Sequence, residues 1–135
     1  MAIDILVVNP LVLSQDPVEQ RLMTPYFPLG LLYLAATLRE AGYSVDVYDG
    51  MFQTDPAQFD QTLDRLEPAV VGISALSTVR ASALELAARA HARGCLVLLG
   101  GADPTARPES YLEHCSGNEH VVDLVVVGEG EGTIL

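Results

Sequence analysis

The chain opens on Ile3-Asp4-Ile5-Leu6-Val7-Val8, where β-branched and aliphatic residues run on without polar alternation, the pattern of a strand buried on both faces. It ends at Asn9-Pro10. A helix is predicted from about Pro28 to Ala41, with Leu31, Leu34, Ala35 and Leu38 on one face and Gly42 as its stop, followed by a second strand at Ser44 to Asp49. Asp55-Pro56 reads as a cap and first helical proline; Phe59, Leu63 and Leu66 then share a stripe before Pro68 ends that helix. Ala69 to Ser74 is a third strand. A helix from about Val79 to Arg93 buries Leu84, Ala87 and Ala88, and Gly94 closes it before a strand at Cys95 to Leu99. A short helix around Pro108 to His114 precedes a fifth strand, Val122 to Val127.

Strands alternating with helices specify an α/β class: a Rossmann-like, doubly wound, five-stranded parallel sheet with helices on both faces. Ligands in such folds sit outside the carboxyl ends of the strands, so the segments after each strand matter most. After strand one, Asn9 leads into Pro10 to Phe27, a proline-rich excursion with few helix signals, expected to be mobile in the isolated domain and to order over a ligand. It holds neither the G-x-G-x-x-G of a dinucleotide site nor a hydroxyl-rich phosphate loop. After strand three, Ser74-Ala75-Leu76-Ser77-Thr78 is small and hydroxyl-rich, serving either as a helix cap or as ligand contacts. After strand four, Gly100-Gly101 removes two side chains in succession; a turn needs one such glycine, and a second favours close approach of a ligand to the backbone. After strand five, Gly128-Glu129-Gly130-Glu131-Gly132 places carboxylates beside exposed amides, which disfavours phosphate and suits hydrogen bonds from ligand amides or hydroxyls, or the start of a further helix.

Half of the 135 residues are hydrophobic and 19% are charged, enough for one domain with its own core. The net charge of −11, with seven arginines and no lysine, makes nucleic acid an unfavourable partner and removes any P-loop lysine or Schiff base. The longest apolar runs fall short of the roughly 20 residues that span a bilayer, and no basic, apolar leader opens the chain, so no membrane partner and a cytoplasmic location are expected. Cys95 and Cys115 are too few and too far apart for a disulfide scaffold. His91, His114 and His120 match no zinc spacing with Cys115, and no nucleophile–base pair stands out, so neither a protein-held metal nor a catalytic residue is assigned.

Taken in order, Tyr26-Phe27-Pro28-Leu29-Gly30-Leu31-Leu32-Tyr33-Leu34-Ala35, Val71-Gly72-Ile73-Ser74, Gly100-Gly101-Ala102-Asp103-Pro104-Thr105 with Pro108-Glu109, and Val127-Gly128-Glu129-Gly130-Glu131-Gly132-Thr133 resemble the amino-terminal domain of cobalamin-dependent radical-SAM proteins, the methyltransferases and the anaerobic magnesium-protoporphyrin monomethyl ester cyclase. The resemblance implies a corrin lying over the strand ends, its nucleotide tail passing beside Ser74, Leu76, Gly100 and Gly101, with Asn9, Ser77, Gly128, Glu129 and Gly130 as further contacts. It departs from cobalamin domains of the methionine-synthase type: after the second strand, Met51 stands where their D-x-H-x-x-G motif places a cobalt-ligating histidine, so base-off cobalamin without a protein imidazole is implied. Asp103 stands where the group often has histidine. The cluster motif C-x-x-x-C-x-x-C does not occur, so the [4Fe-4S] cluster and S-adenosylmethionine are expected of a radical-SAM domain following residue 135, the domain's partner within the same protein. Two readings follow: a cofactor-binding domain, non-catalytic alone, or a diverged domain of the same fold that has lost cobalamin and binds a partner or substrate. A small nucleotide- or flavin-binding protein is the third.

Overall fold

The computed structural model describes residues 2–10, 29–50, 57–75 and 80–128. Its strands are β1 (Ile5–Asn9), β2 (Val45–Asp49), β3 (Val70–Ser74), β4 (Leu96–Gly100), the two-residue β5 (Cys115–Ser116) and β6 (Glu119–His120), and β7 (Leu124–Val125). The helices are α1 (Leu29–Glu40), α2 (Ala57–Leu66), α3 (Arg80–Ala92), and two of five residues each, α4 (Ala102–Ala106) and α5 (Pro108–Leu112).

Five of these strands form a sheet in the order β2-β1-β3-β4-β7, every neighbouring pair parallel. The expected doubly wound α/β fold is therefore present. Side chains alternate across each strand, and the two faces are covered unequally. Leu6, Val8, Val71, Ile73, Val97 and Leu99 point to the larger core, where Phe59, Leu63, Ala83, Ala87 and Tyr111 from α2, α3 and α5 meet them. Ile5 and Val7 point the other way and pack under Leu31, Ala35 and Leu38 of α1. Handedness explains the inequality. The β1-to-β2 connection runs one way along the sheet and the later connections run the other, so right-handed crossovers put α1 alone on its face among the described helices. Over β4 and β7 that face carries Leu96 and Leu124, both substantially exposed. No helix among the described residues is long and apolar enough to cross a membrane.

Three elements differ from expectation. The fifth strand is shorter than Val122 to Val127, because the Asp123 carboxylate accepts the Val97 N–H (2.8 Å) in place of a backbone carbonyl and Val122 turns into the core. Helix α4 was not anticipated, because at five residues it is too short to show an apolar period. The β5–β6 hairpin was also missed: its turn, Gly117-Asn118, puts glycine at φ +65° in the first position and leaves asparagine at negative φ, as a type II′ turn requires. His91 donates from Nε2 to the Glu119 carboxylate across 2.9 Å, tying α3 to this hairpin, while the His120 ring donates from Nδ1 to the Leu112 carbonyl at 3.0 Å. Among the described residues no group of histidine, cysteine and carboxylates is placed to hold a metal ion.

Candidate functional site

On the thinly covered face, α1 stops short of β4, and the carboxyl halves of β3 and β4 floor a cleft of about 380 Å³. That volume lies in the range of small-molecule sites, about 300–1,000 Å³. One wall is Gly30, Leu31, Tyr33 and Leu34 of α1, the floor is Gly72, Ser74, Leu98 and Gly100, and Val126 with Gly128 bound the far side. The side chains lining it are largely aliphatic, with the Ser74 and Tyr33 hydroxyls as polar groups; no carboxylate, imidazole, thiol or guanidinium lies among the described lining residues. Such a surface holds and orients a ligand and carries no acid–base pair.

Glycines separate into two kinds. Gly42, Gly94, Gly101, Gly117 and Gly128 adopt positive φ, where a side chain is strained. Gly30, Gly72 and Gly100 do not, and a Cβ at any of them meets nothing closer than 3.8 Å. Neither backbone geometry nor packing within the protein asks for glycine at these three, and all three line the cleft. A glycine inside a strand or helix costs roughly 0.5–1 kcal/mol relative to alanine, and nothing among the described residues around these three offsets that cost.

The expected site residues are only partly brought together. Ser74, Gly100, Gly101 and Gly128 line the cleft. Asn9 ends β1 and donates from Nδ2 to Asp49 Oδ1 (3.0 Å), joining the strand ends of β1 and β2 outside the cleft. Leu76, Ser77, Glu129 and Gly130 lie outside the described residues, as do Met51 and the excursion at 11–27. Of the two successive glycines, the structure shows which one the turn requires. Gly101 sits at φ +107°, and a Cβ there would stand 2.8 Å from the Ala75 carbonyl, so this glycine is demanded by the turn itself; Gly100 faces the cleft. Sequence reasoning missed Gly30 and Gly72 as site residues. A glycine inside an otherwise β-branched run, Val70-Val71-Gly72-Ile73, is a recognised sign of close approach by a ligand or another backbone, and it was legible.

Comparison with known proteins bears on this cleft. The family model of the B12 binding domain matches residues 21–135. An uncharacterized methyltransferase of Pyrococcus horikoshii is 32% identical over 109 residues, covering 78% of this chain and 23% of that protein. Among solved structures, the radical S-adenosylmethionine methyltransferase TsrM from Kitasatospora setae, with tryptophan substrate and an S-adenosylmethionine analogue bound, superimposes with a TM-score of 0.62 at 20% identity, covering 77% of this chain and 20% of that one. The chain thus spans about a quarter or less of the length of either relative. At 20% identity the structural likeness establishes the shared fold, and the family match over most of the sequence places this chain in the B12-binding domain family.

Proposed function

We propose that this domain binds cobalamin, taking the slender nucleotide arm of the cofactor into the cleft while the corrin lies over the strand ends. The observation that carries the reading is the alignment of Gly30, Gly72 and Gly100, three positions bare without internal reason, around one apolar cleft. A planar macrocycle with its amide rim is too broad for about 380 Å³, whereas a flat aromatic base on a narrow linker suits a slot floored by glycines and walled by Leu31, Leu34 and Leu98. Ser74 stands at its mouth with an exposed hydroxyl ready to hydrogen-bond the arm. Leu76, Ser77, Glu129 and Gly130 complete the site by resemblance, and Met51 in the histidine's place leaves the cobalt without a protein imidazole.

Bound cobalamin supplies a cobalt centre suited to methyl-group transfer; the residues of this domain hold and orient it. The likeness to a radical S-adenosylmethionine methyltransferase supports a reading in which the domain works beside a radical-SAM domain of the same protein, in methyl transfer, with porphyrin-ring cyclisation the other activity the resemblance implies. Incubating the 135-residue chain with hydroxocobalamin, desalting, and recording the visible spectrum tests the binding. Corrin absorption that travels with the protein in stoichiometric amount supports it. Its complete loss on desalting, with the protein folded by circular dichroism, points instead to a diverged module that binds a partner.

A further inference from the structure

The motif Gly100 to Thr105 is only partly absorbed by the cleft: Asp103, Pro104 and Thr105 do not line it. These residues lie in α4, and the backbone shows what that short helix does. The Asp103 N–H donates to the Ala75 carbonyl (3.3 Å), just past β3. Thr105 N–H donates to the Gly101 carbonyl (3.1 Å), just past β4, and the Thr105 hydroxyl oxygen accepts the Gly128 N–H (3.0 Å), just past β7. The Thr105–Gly101 bond is the first turn of α4 itself, so this short helix, leaving β4 directly, hydrogen-bonds to the exits of β3 and β7, the strands on either side. The Ala75 N–H to Gly100 carbonyl bond (2.9 Å) closes the same ring, and it is this close approach that excludes a Cβ at Gly101.

What fixes α4 is Asp103, the one buried charged side chain among the described residues. Its carboxylate accepts the hydroxyl of the fully buried Tyr111 and the guanidinium of Arg107, with Arg80 Nη1 at 3.8 Å. Arg80 opens α3, lies over the Tyr111 ring (4.4 Å), and reaches the Ser110 hydroxyl (2.9 Å). A buried carboxylate is costly unless paired and hydrogen-bonded; here its partners come from α5 and α3, so one anion locks α4 to both neighbours. We infer that Asp103 and Thr105 are positioning residues, setting the rim of the cleft by clasping the ends of β3 and β7 from the exit of β4, without touching the ligand. This rests on the cobalamin reading above.

The test is hydroxocobalamin binding to the 135-residue chain and to Thr105→Val, Thr105→Ser and Asp103→Asn, with melting temperature measured alongside. Thr105→Val keeps the shape and deletes the acceptor for Gly128. It is expected to melt close to the parent while binding about three- to tenfold more weakly, the worth of one hydrogen bond. Thr105→Ser, which keeps the oxygen, should restore binding. The induced visible circular dichroism of the bound corrin should change in Thr105→Val and return in Thr105→Ser, a readout that a purely stabilising role would leave alone. Asp103→Asn should lose both stability and affinity. A parent chain that retains no hydroxocobalamin overturns the cobalamin reading and this inference with it. A parent chain that binds while Thr105→Val binds equally tightly, with an unaltered spectrum, overturns this inference alone.

Discussion

Gly72→Ala separates a glycine kept for the fold from one kept for a ligand. Gly72 lies in β3, hydrogen-bonded between β1 and β4 and opposite Val7 and Leu98. A Cβ built there meets Ile5 Cδ1 at 3.8 Å and Val7 Cγ1 at 4.0 Å, ordinary contact distances, and the backbone is not at positive φ. Alanine therefore enters without strain and removes the extra freedom of glycine in the unfolded chain, which is worth about 0.5–1 kcal/mol. For a domain of this size that raises the melting temperature by about 2–5 °C. The same methyl projects into the floor of the cleft, where overpacking costs about 1–3 kcal/mol. Hydroxocobalamin affinity should accordingly fall by about fivefold or more. Denaturant unfolding and a spectrophotometric titration measure the two effects on one preparation. A variant less stable than the parent would show that the strand itself needs glycine, and unchanged affinity in a stabilised variant would show that no ligand reaches the floor.

Gly101→Ala should behave oppositely, losing about 2–4 kcal/mol in denaturant unfolding, because it places a Cβ against the Ala75 carbonyl at φ +107°; a neutral result would remove the steric basis of the turn. Tyr111 is pushed up to about 12 by burial and then by its hydrogen bond to Asp103. A raised folded pKa contributes stability that is present below the unfolded tyrosine value near 10 and is lost as pH rises through the folded one, so stability should fall between about pH 10 and 12 in the parent, and less so in Tyr111→Phe. Asp103 is held below the usual carboxylate range first by Tyr111 and then by Arg107; its contribution is present above about pH 4 and lost in acid, so the deficit of Tyr111→Phe, about 1–3 kcal/mol at pH 7, should narrow toward pH 3. A native thiol titration should modify exposed Cys115 and spare Cys95, which is buried and whose thiol pKa is raised by that burial; reaction of both at similar rates would show that β4 opens readily. Electron paramagnetic resonance of the bound cob(II)alamin form should lack nitrogen superhyperfine splitting under the proposed binding mode, in which Met51 stands in the histidine's place and the cofactor's own base is carried away from cobalt on its arm; splitting would refute that mode.

The order of the long elements was legible because β1 and β4 are continuous aliphatic runs, Ile5 to Val8 and Leu96 to Leu99, and each long helix carries an apolar stripe ended by glycine or proline. These are local signals, set by period and by the conformations glycine and proline allow. The parallel sheet follows from their alternation, and the glycines that mark the cleft, Gly72 and Gly100, are visible in the sequence as interruptions of such runs. For Gly72 the close approach it signals was legible as well; which member of the Gly100-Gly101 pair does the same was not. Gly100 and Gly101 are chemically identical neighbours, and only the meeting of two strand ends, with Ala75 pressed against one of them, makes one a requirement of the turn and leaves the other facing the cleft. The cleft exists because winding reverses beside β1 and leaves α1 alone on its face among the described helices, a property of strand order. Asp103 likewise shows no sign in the sequence of being buried. Its role comes from partners 4, 8 and 23 positions away, Arg107, Tyr111 and Arg80, which are brought to one buried carboxylate by the packing of α3 and α5 around α4.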